Sequence, residues 1–287
     1  MAWIALAYAI AGAVAAAMVL RLGGRPSWLV ILAADVAATV AVFGASVLFD
    51  NSSVYDAYWS IAPIAIAAGL LAVSAAHGGP TVRALTVTLL VTAWGARLTW
   101  NWARGWSGMA HEDWRYVRLR EQTGRAYWLV SLLGLHLVPT LVVYLGCLSL
   151  LPSLRSGSAP LGALDALGLV VTVGSILIES RADDQLRAFR LSRPPEGTIL
   201  DQGLWALCRH PNYAGEIGFW WGLFLFAVAA DGASWPAVIG PAAVTALFLT
   251  VSIPIADRRS RARRPGYEQH MRRVPALIPR LRRARDD

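Results

Sequence analysis

Apolar residues run along this chain in stretches of 18 to 25, interrupted by three polar segments rich in Arg. About 20 apolar residues are what a helix needs to cross the roughly 30 Å hydrocarbon layer of a bilayer. Eight such stretches can be marked: 2–20, 28–49, 58–76, 82–101, 127–151, 161–180, 214–231 and 235–255. Ala and Gly are frequent inside them, as expected where membrane helices pack closely. Only Asp231-Gly232-Ala233-Ser234 separates the last two, which predicts a helical hairpin. Pro236 then falls in the first turn of its helix, where its missing N–H costs little. The pattern predicts an all-α fold, a polytopic membrane bundle of seven or eight transmembrane helices. No internal repeat or low-complexity linker divides it, so we expect a single domain, with N-terminal membrane helices at 1–49 leading into a main body at 50–287.

Composition agrees and adds a sidedness. Of 287 residues, 56% are hydrophobic and 15% charged, with a formal net charge of +8. All 26 basic residues are Arg, a usage that suggests a GC-rich bacterial genome. Segments 102–126, 181–213 and 256–287 hold five, five and eleven of them. All three follow even-numbered spans and so share a side, which the positive-inside rule makes cytoplasmic, together with both termini. The expected location is the bacterial inner membrane. Arg21 and Arg25 in the first loop oppose this and are outnumbered. Arg beside spans reflects topology and anionic lipid, so membrane lipid is an expected partner and nucleic acid is not. Cys147 and Cys208 have no CxxC partner, which excludes a zinc or disulfide framework read from spacing. His77, His111, His136, His210 and His270 form no ligand-spaced pair, and no metal site is expected. Residues 2–20 lack a basic lead and a cleavage site, which predicts a retained first helix and no signal peptide.

Ionisable groups in or at the ends of spans are functional candidates. Arg97 lies within the fourth span, in Trp94-Gly95-Ala96-Arg97-Leu98-Thr99-Trp100-Asn101. It is either a snorkelling side chain near the interface or an inward Arg that binds an anion. On a helix, Glu179, Asp183, Arg187 and Arg190 share one face. That face is either an ion-paired surface or the lining of a cavity that begins inside the sixth span. Asp56 stands before Tyr58, Trp59 and Pro63 as an interfacial carboxylate in an aromatic belt or a working acid. The densest signal is Leu207-Cys208-Arg209-His210-Pro211-Asn212-Tyr213-Ala214-Gly215-Glu216, a His-Pro turn leading into a span with Glu216 near its start. Asn212, Tyr213 and His210 offer hydrogen-bond handles for an adenosine-like group. Glu216 can equally be a helix-end acid, since helix N-termini attract anions. The tail runs from Ile253-Pro254-Ile255-Ala256-Asp257 to Pro265-Gly266-Tyr267 and Val274-Pro275-Ala276-Leu277-Ile278-Pro279, punctuation that predicts a folded cap.

The Arg209-to-Glu216 block, the Pro-Gly-Tyr…Ala-Leu-Ile-Pro ending and Ala182-Asp183-Asp184-Gln185-Leu186 together resemble the bacterial DUF1295 group. That group is related to membrane steroid 5α-reductases (3-oxo-5-alpha-steroid 4-dehydrogenase-like) and, more remotely, to sterol C14 reductases and isoprenylcysteine carboxyl methyltransferases. The resemblance covers about residues 50–280 and implies a steroid-reductase-like membrane catalytic domain at 50–287, whose cytoplasmic loops form a pocket for NADPH. Asp56, with Pro63 seven residues later, matches the acid that polarises an enone carbonyl. Asp183, Arg187 and Arg190 match an acid followed by basic residues at +4 and +7 near the cofactor. Asn212, Tyr213 and Glu216 match a block that contacts NADPH, and Arg97 matches a cofactor-side Arg. Arg209, His210 and Asp257 join the expected cofactor-binding set. Two positions depart from the pattern. Trp94 stands where the reductases carry a catalytic Tyr, and an indole donates one hydrogen bond without supplying a phenolic proton. Glu179, also placed in the cofactor-binding set, stands where they carry Asn. The expected catalytic set is therefore Asp56, Tyr58 and Trp94. The implied activity is hydride transfer from NADPH to an electron-poor C=C bond of a lipid-soluble, steroid-like substrate. The alternatives are an S-adenosylmethionine-dependent membrane methyltransferase, which would share the Arg-His-Pro block, and a non-enzymatic lipid-binding protein.

Overall fold

The computed structural model describes residues 1–155 and 158–279; Arg280, Arg282, Arg283 and Arg285 of the basic tail lie outside them. The described residues contain helices and turns and no strand. Seven helical segments among them are long and apolar enough to cross a membrane: Ala2–Arg21, Ser27–Leu48, Ser52–Ala76, Trp114–Ser153, Ala163–Leu191, Pro211–Ala230 and Gly232–Arg263. Large apolar side chains point outward along them, with Leu48 78% and Val170 69% exposed. Such a surface would aggregate in water and is the ordinary surface of a protein in lipid. The chain is an integral membrane protein with an all-α polytopic fold.

The expected span at 82–101 is the one that changes status. It folds as a 24-residue helix, Val82–Gly105, started by Thr81, whose hydroxyl accepts the Ala84 N–H (3.1 Å). At about 36 Å it is long enough to cross. Arg83, Arg97, Asn101, Arg104 and four Thr lower its hydropathy below that of the other seven. The span expected at 235–255 also starts differently, because Pro236 lies within a 3-10 turn, Gly232–Val238, ahead of the α-helix Ile239–Leu247.

By internal contacts the chain divides into two compact units, Met1–Leu161 with Phe226–Gly240, and Gly162–Leu225 with Pro241–Asp287. In the first, the helices Ala2–Arg21 and Ser27–Leu48 pack through Ala7, Ala11, Ala38 and Val42, small residues that let backbones approach. The helices Tyr58–Ala76 and Val82–Gly105 meet at Gly95, where a Cβ would lie 2.4 Å from the Ser60 carbonyl oxygen. Arg83 is buried; its guanidinium donates to Ser158 Oγ (2.9 Å) and to the carbonyls of Ala159 (2.8 Å), Pro160 (3.2 Å) and Ala229 (3.3 Å). A cation there also complements the carbonyl end of the helix Pro211–Ala230.

In the second unit, the helix Ala163–Leu191 has 29 residues. That is about 43 Å, so its last turns extend past a 30 Å hydrocarbon layer. It lies against the first part of the helix Pro211–Ala230 along Gly215, Gly218 and Gly222. A Cβ on these would sit 2.6 Å from Glu179 Cβ, 2.3 Å from Ser175 Oγ and 2.1 Å from Thr172 Oγ1. The connecting segment is tied back onto the long helix. Gln185 Oε1 accepts the Leu204 N–H (3.0 Å), and Trp205 Nε1–H donates to the Ala182 carbonyl (3.1 Å).

Candidate functional site

The second unit holds most of the expected cofactor residues. Glu179, Asp183, Arg187 and Arg190 do share one helix, Ala163–Leu191, with Glu179 buried beneath Gly215. Pro211, at the first helical position where proline is favoured, opens the helix that carries Asn212, Tyr213 and Glu216. Asn212 Nδ2–H donates a long bond to Asp183 Oδ1 (3.4 Å), while Asn212 Oδ1 is buried with no hydrogen-bond partner among the described residues. The Tyr213 ring stacks on His210 (5.2 Å between centroids, 8° between planes) and meets Phe248 at 4.8 Å. Arg190 has Asp183, Tyr213 and Arg264 as electrostatic neighbours. Glu216 is buried and accepts Trp220 Nε1–H (2.8 Å) one turn along its own helix.

Arg209, His210 and Asp257 form a different arrangement. Asp257 accepts from Arg209 Nη2 (2.8 Å) and Nε (3.3 Å), from His210 Nε2 (3.0 Å) and from the Tyr267 hydroxyl (3.0 Å). Arg209 Nη1 donates to the carbonyls of Val274 (2.6 Å) and Met271 (3.3 Å). The backbone N–H groups of Arg209 and His210 reach the carbonyls of Pro275 (2.9 Å) and Ala276 (3.1 Å). These residues thus clasp the tail, and the guanidinium of Arg209 is turned to Asp257 and to two tail carbonyls. Burial, reinforced by the Asp257 charge, pushes the Tyr267 phenol up to about 12. Burial lowers the His270 imidazole from its ordinary value and raises the Cys208 thiol.

The expected acid and its companions fall in the first unit. Asp56 follows a 3-10 turn, Ser52–Tyr55, whose start is fixed by Asn51. Asn51 Oδ1 accepts the Ser53 N–H (2.8 Å), and its Nδ2 donates to the carbonyls of Met109 (2.8 Å) and His111 (3.0 Å). Asp56 Oδ1 accepts a hydrogen bond from the Tyr116 hydroxyl, with Arg115 as a neighbouring charge. Tyr58 turns elsewhere, donating to Asp35 Oδ1 (2.8 Å). Trp94 is fully buried, edge-on to Trp59 at 6.0 Å. Arg97, half-buried on the helix Val82–Gly105, belongs to this unit and not to the one holding Arg187 and Arg190.

Two residues escaped the sequence. Asp35 is the only acid in the span Ser27–Leu48, and its isolation among apolar residues was a usable signal. Tyr116 lies 60 residues from Asp56, and no local pattern links them.

Comparison with known proteins adds a family and little chemistry. The profile of DUF1295, described as a protein of unknown function, matches residues 42–274. An uncharacterized protein of Schizosaccharomyces pombe is 26% identical, over 84% of this chain and 76% of that protein. No solved structure matches significantly.

Proposed function

The chain belongs to the DUF1295 family, and for this member we propose an NADPH-dependent reductase acting on an electron-poor C=C bond of a lipid-soluble enone. The observation that carries this is Asn212 Oδ1, a buried acceptor with no partner among the described residues. Leaving such a group unpaired costs about 1–3 kcal/mol, which a ligand amino or hydroxyl hydrogen would recover. The surrounding donor set fits a nucleotide. Asn212 would take an amino hydrogen and Asp183 a ribose hydroxyl, with Tyr213 stacked nearby. Arg187 and Arg190 would hold phosphates through charge-assisted hydrogen bonds. NADPH, when bound, supplies a hydride. Asp56 and Tyr116 form the hydrogen-bonding handle for the enone carbonyl, with the proton held on Tyr116 Oη. Tyr116 is thus the phenol that Trp94 cannot be. We assign Arg209, His210 and Asp257 to holding the tail.

Screening lipid enones for NADPH oxidation by the detergent-purified chain tests the activity. Asn212→Ala and Arg190→Ala weaken NADPH binding, whereas Asp56→Asn binds NADPH normally and turns over slowly. Intact turnover in Asp56→Asn would overturn the acid's role, and unchanged binding in Asn212→Ala would overturn the nucleotide site.

A further inference from the structure

The second unit also holds a cleft of about 350 Å3, lined by Phe189, residues 194–198, Arg263 and Arg264. None of these residues takes part in the cofactor set above. The cleft is built by its backbone. Pro194 and Pro195 fix two successive φ angles. Thr198 donates both its N–H (3.2 Å) and its hydroxyl (2.6 Å) to the Pro195 carbonyl, closing the turn. Gly197 has φ +85°, and a Cβ there would sit 3.2 Å from Pro265 Cδ, so the turn rests against the segment that carries both arginines.

Neither Arg263 nor Arg264 forms an ion pair among the described residues, although Glu196 lines the same cleft. Arg264 uses one donor, Nη1 to Ser260 Oγ (3.1 Å), of the five a guanidinium carries. Arg190 is an electrostatic neighbour of Arg264. Two cations lining one preformed cleft with a single carboxylate repel one another until an anion enters. The planar fork of Arg matches phosphate oxygens.

We propose that this cleft binds a phosphate group through Arg263 and Arg264, with Phe189 beside it. The inference stands apart from the reductase assignment. Two spans, Ala163–Leu191 and Gly232–Arg263, end at the cleft. A phospholipid headgroup and a soluble phosphate are the two sources of that chemistry. The test is the melting of the full chain in neutral detergent with inorganic phosphate, with phosphatidylglycerol, and with phosphatidylcholine as control. Phosphate or phosphatidylglycerol raises the Tm beyond chloride or phosphatidylcholine. In the Arg263→Gln/Arg264→Gln variant the half-saturating concentration rises about tenfold or more. Arg258→Gln/Arg261→Gln, with the same charge loss on the helix Ile253–Arg263 that leads into the cleft, keeps the wild-type response. A response to phosphatidylglycerol alone assigns the headgroup, and a response to phosphate assigns a soluble ligand. The exposed single variant Arg263→Gln keeps the test available if the double variant fails to fold. No stabilisation by either probe, or equal loss in the two double variants, overturns the proposal.

Discussion

Asp257→Ala removes the centre of the tail clasp. The carboxylate accepts four hydrogen bonds, at 2.8 and 3.3 Å from Arg209, 3.0 Å from His210 and 3.0 Å from Tyr267. The side chains of Arg209 and Asp257 are only 8% and 7% exposed, so solvent screens the pair little. Deleting one partner of a buried pair costs about 3–5 kcal/mol, because the other charge is left behind. Here part of that is softened, since Arg209 keeps the carbonyls of Met271 and Val274. The opening equilibrium of the tail should still shift by about a hundredfold or more. Hydrogen exchange in detergent reads this at the Arg209 and His210 amides, which donate to Pro275 and Ala276. Asp257→Asn, which retains an acceptor, shifts exchange less. A folded Asp257→Ala protein with unchanged protection at these amides would refute the clasp.

Three further outcomes follow from packing and burial. Gly222→Ala places a Cβ 2.1 Å from Thr172 Oγ1 and 3.0 Å from the Thr172 backbone nitrogen; overpacking of this kind costs about 1–3 kcal/mol, so the Tm falls, Thr172→Ala restores part of it, and Gly12→Ala, with open space around it, leaves it unchanged. The lowered His270 value means the unfolded chain takes up a proton first, so tail stability falls as pH drops below 6.5, and His270→Gln flattens that fall. The raised Tyr267 value acts oppositely: its contribution is whole below pH 10 and lost towards about 12, as tail protection at alkaline pH reports.

Most of the membrane architecture was legible, because hydrophobic length and Arg placement are local properties. The helix Val82–Gly105 is marked by its length and apolar run, but the reason it tolerates Arg83 is not: that Arg anchors carbonyls at 159, 160 and 229, contacts that only the fold creates. The helical face from Glu179 to Arg190 was readable from 3.6-residue spacing. The pairings were not. Asp56 sits beside Tyr58 in sequence, yet its partner is Tyr116, and the partner of Tyr58 is Asp35. A phenol's direction depends on helix packing, which spacing along one chain does not encode. The Arg209-His210 block was recognisable as a motif, but its role as a clasp depends on Asp257, 47 or more residues away.

We propose that Asn212 and its neighbours hold a nicotinamide nucleotide. The most direct test is the melting temperature of the detergent-purified chain with saturating NADPH or S-adenosylmethionine. At about 100 times its dissociation constant a ligand adds about 2.7 kcal/mol to the native state, a clear rise in Tm. NADPH should produce that rise in the wild type and not in Asn212→Ala, with S-adenosylmethionine inert. Stabilisation by S-adenosylmethionine alone, or by neither ligand, would contradict the account.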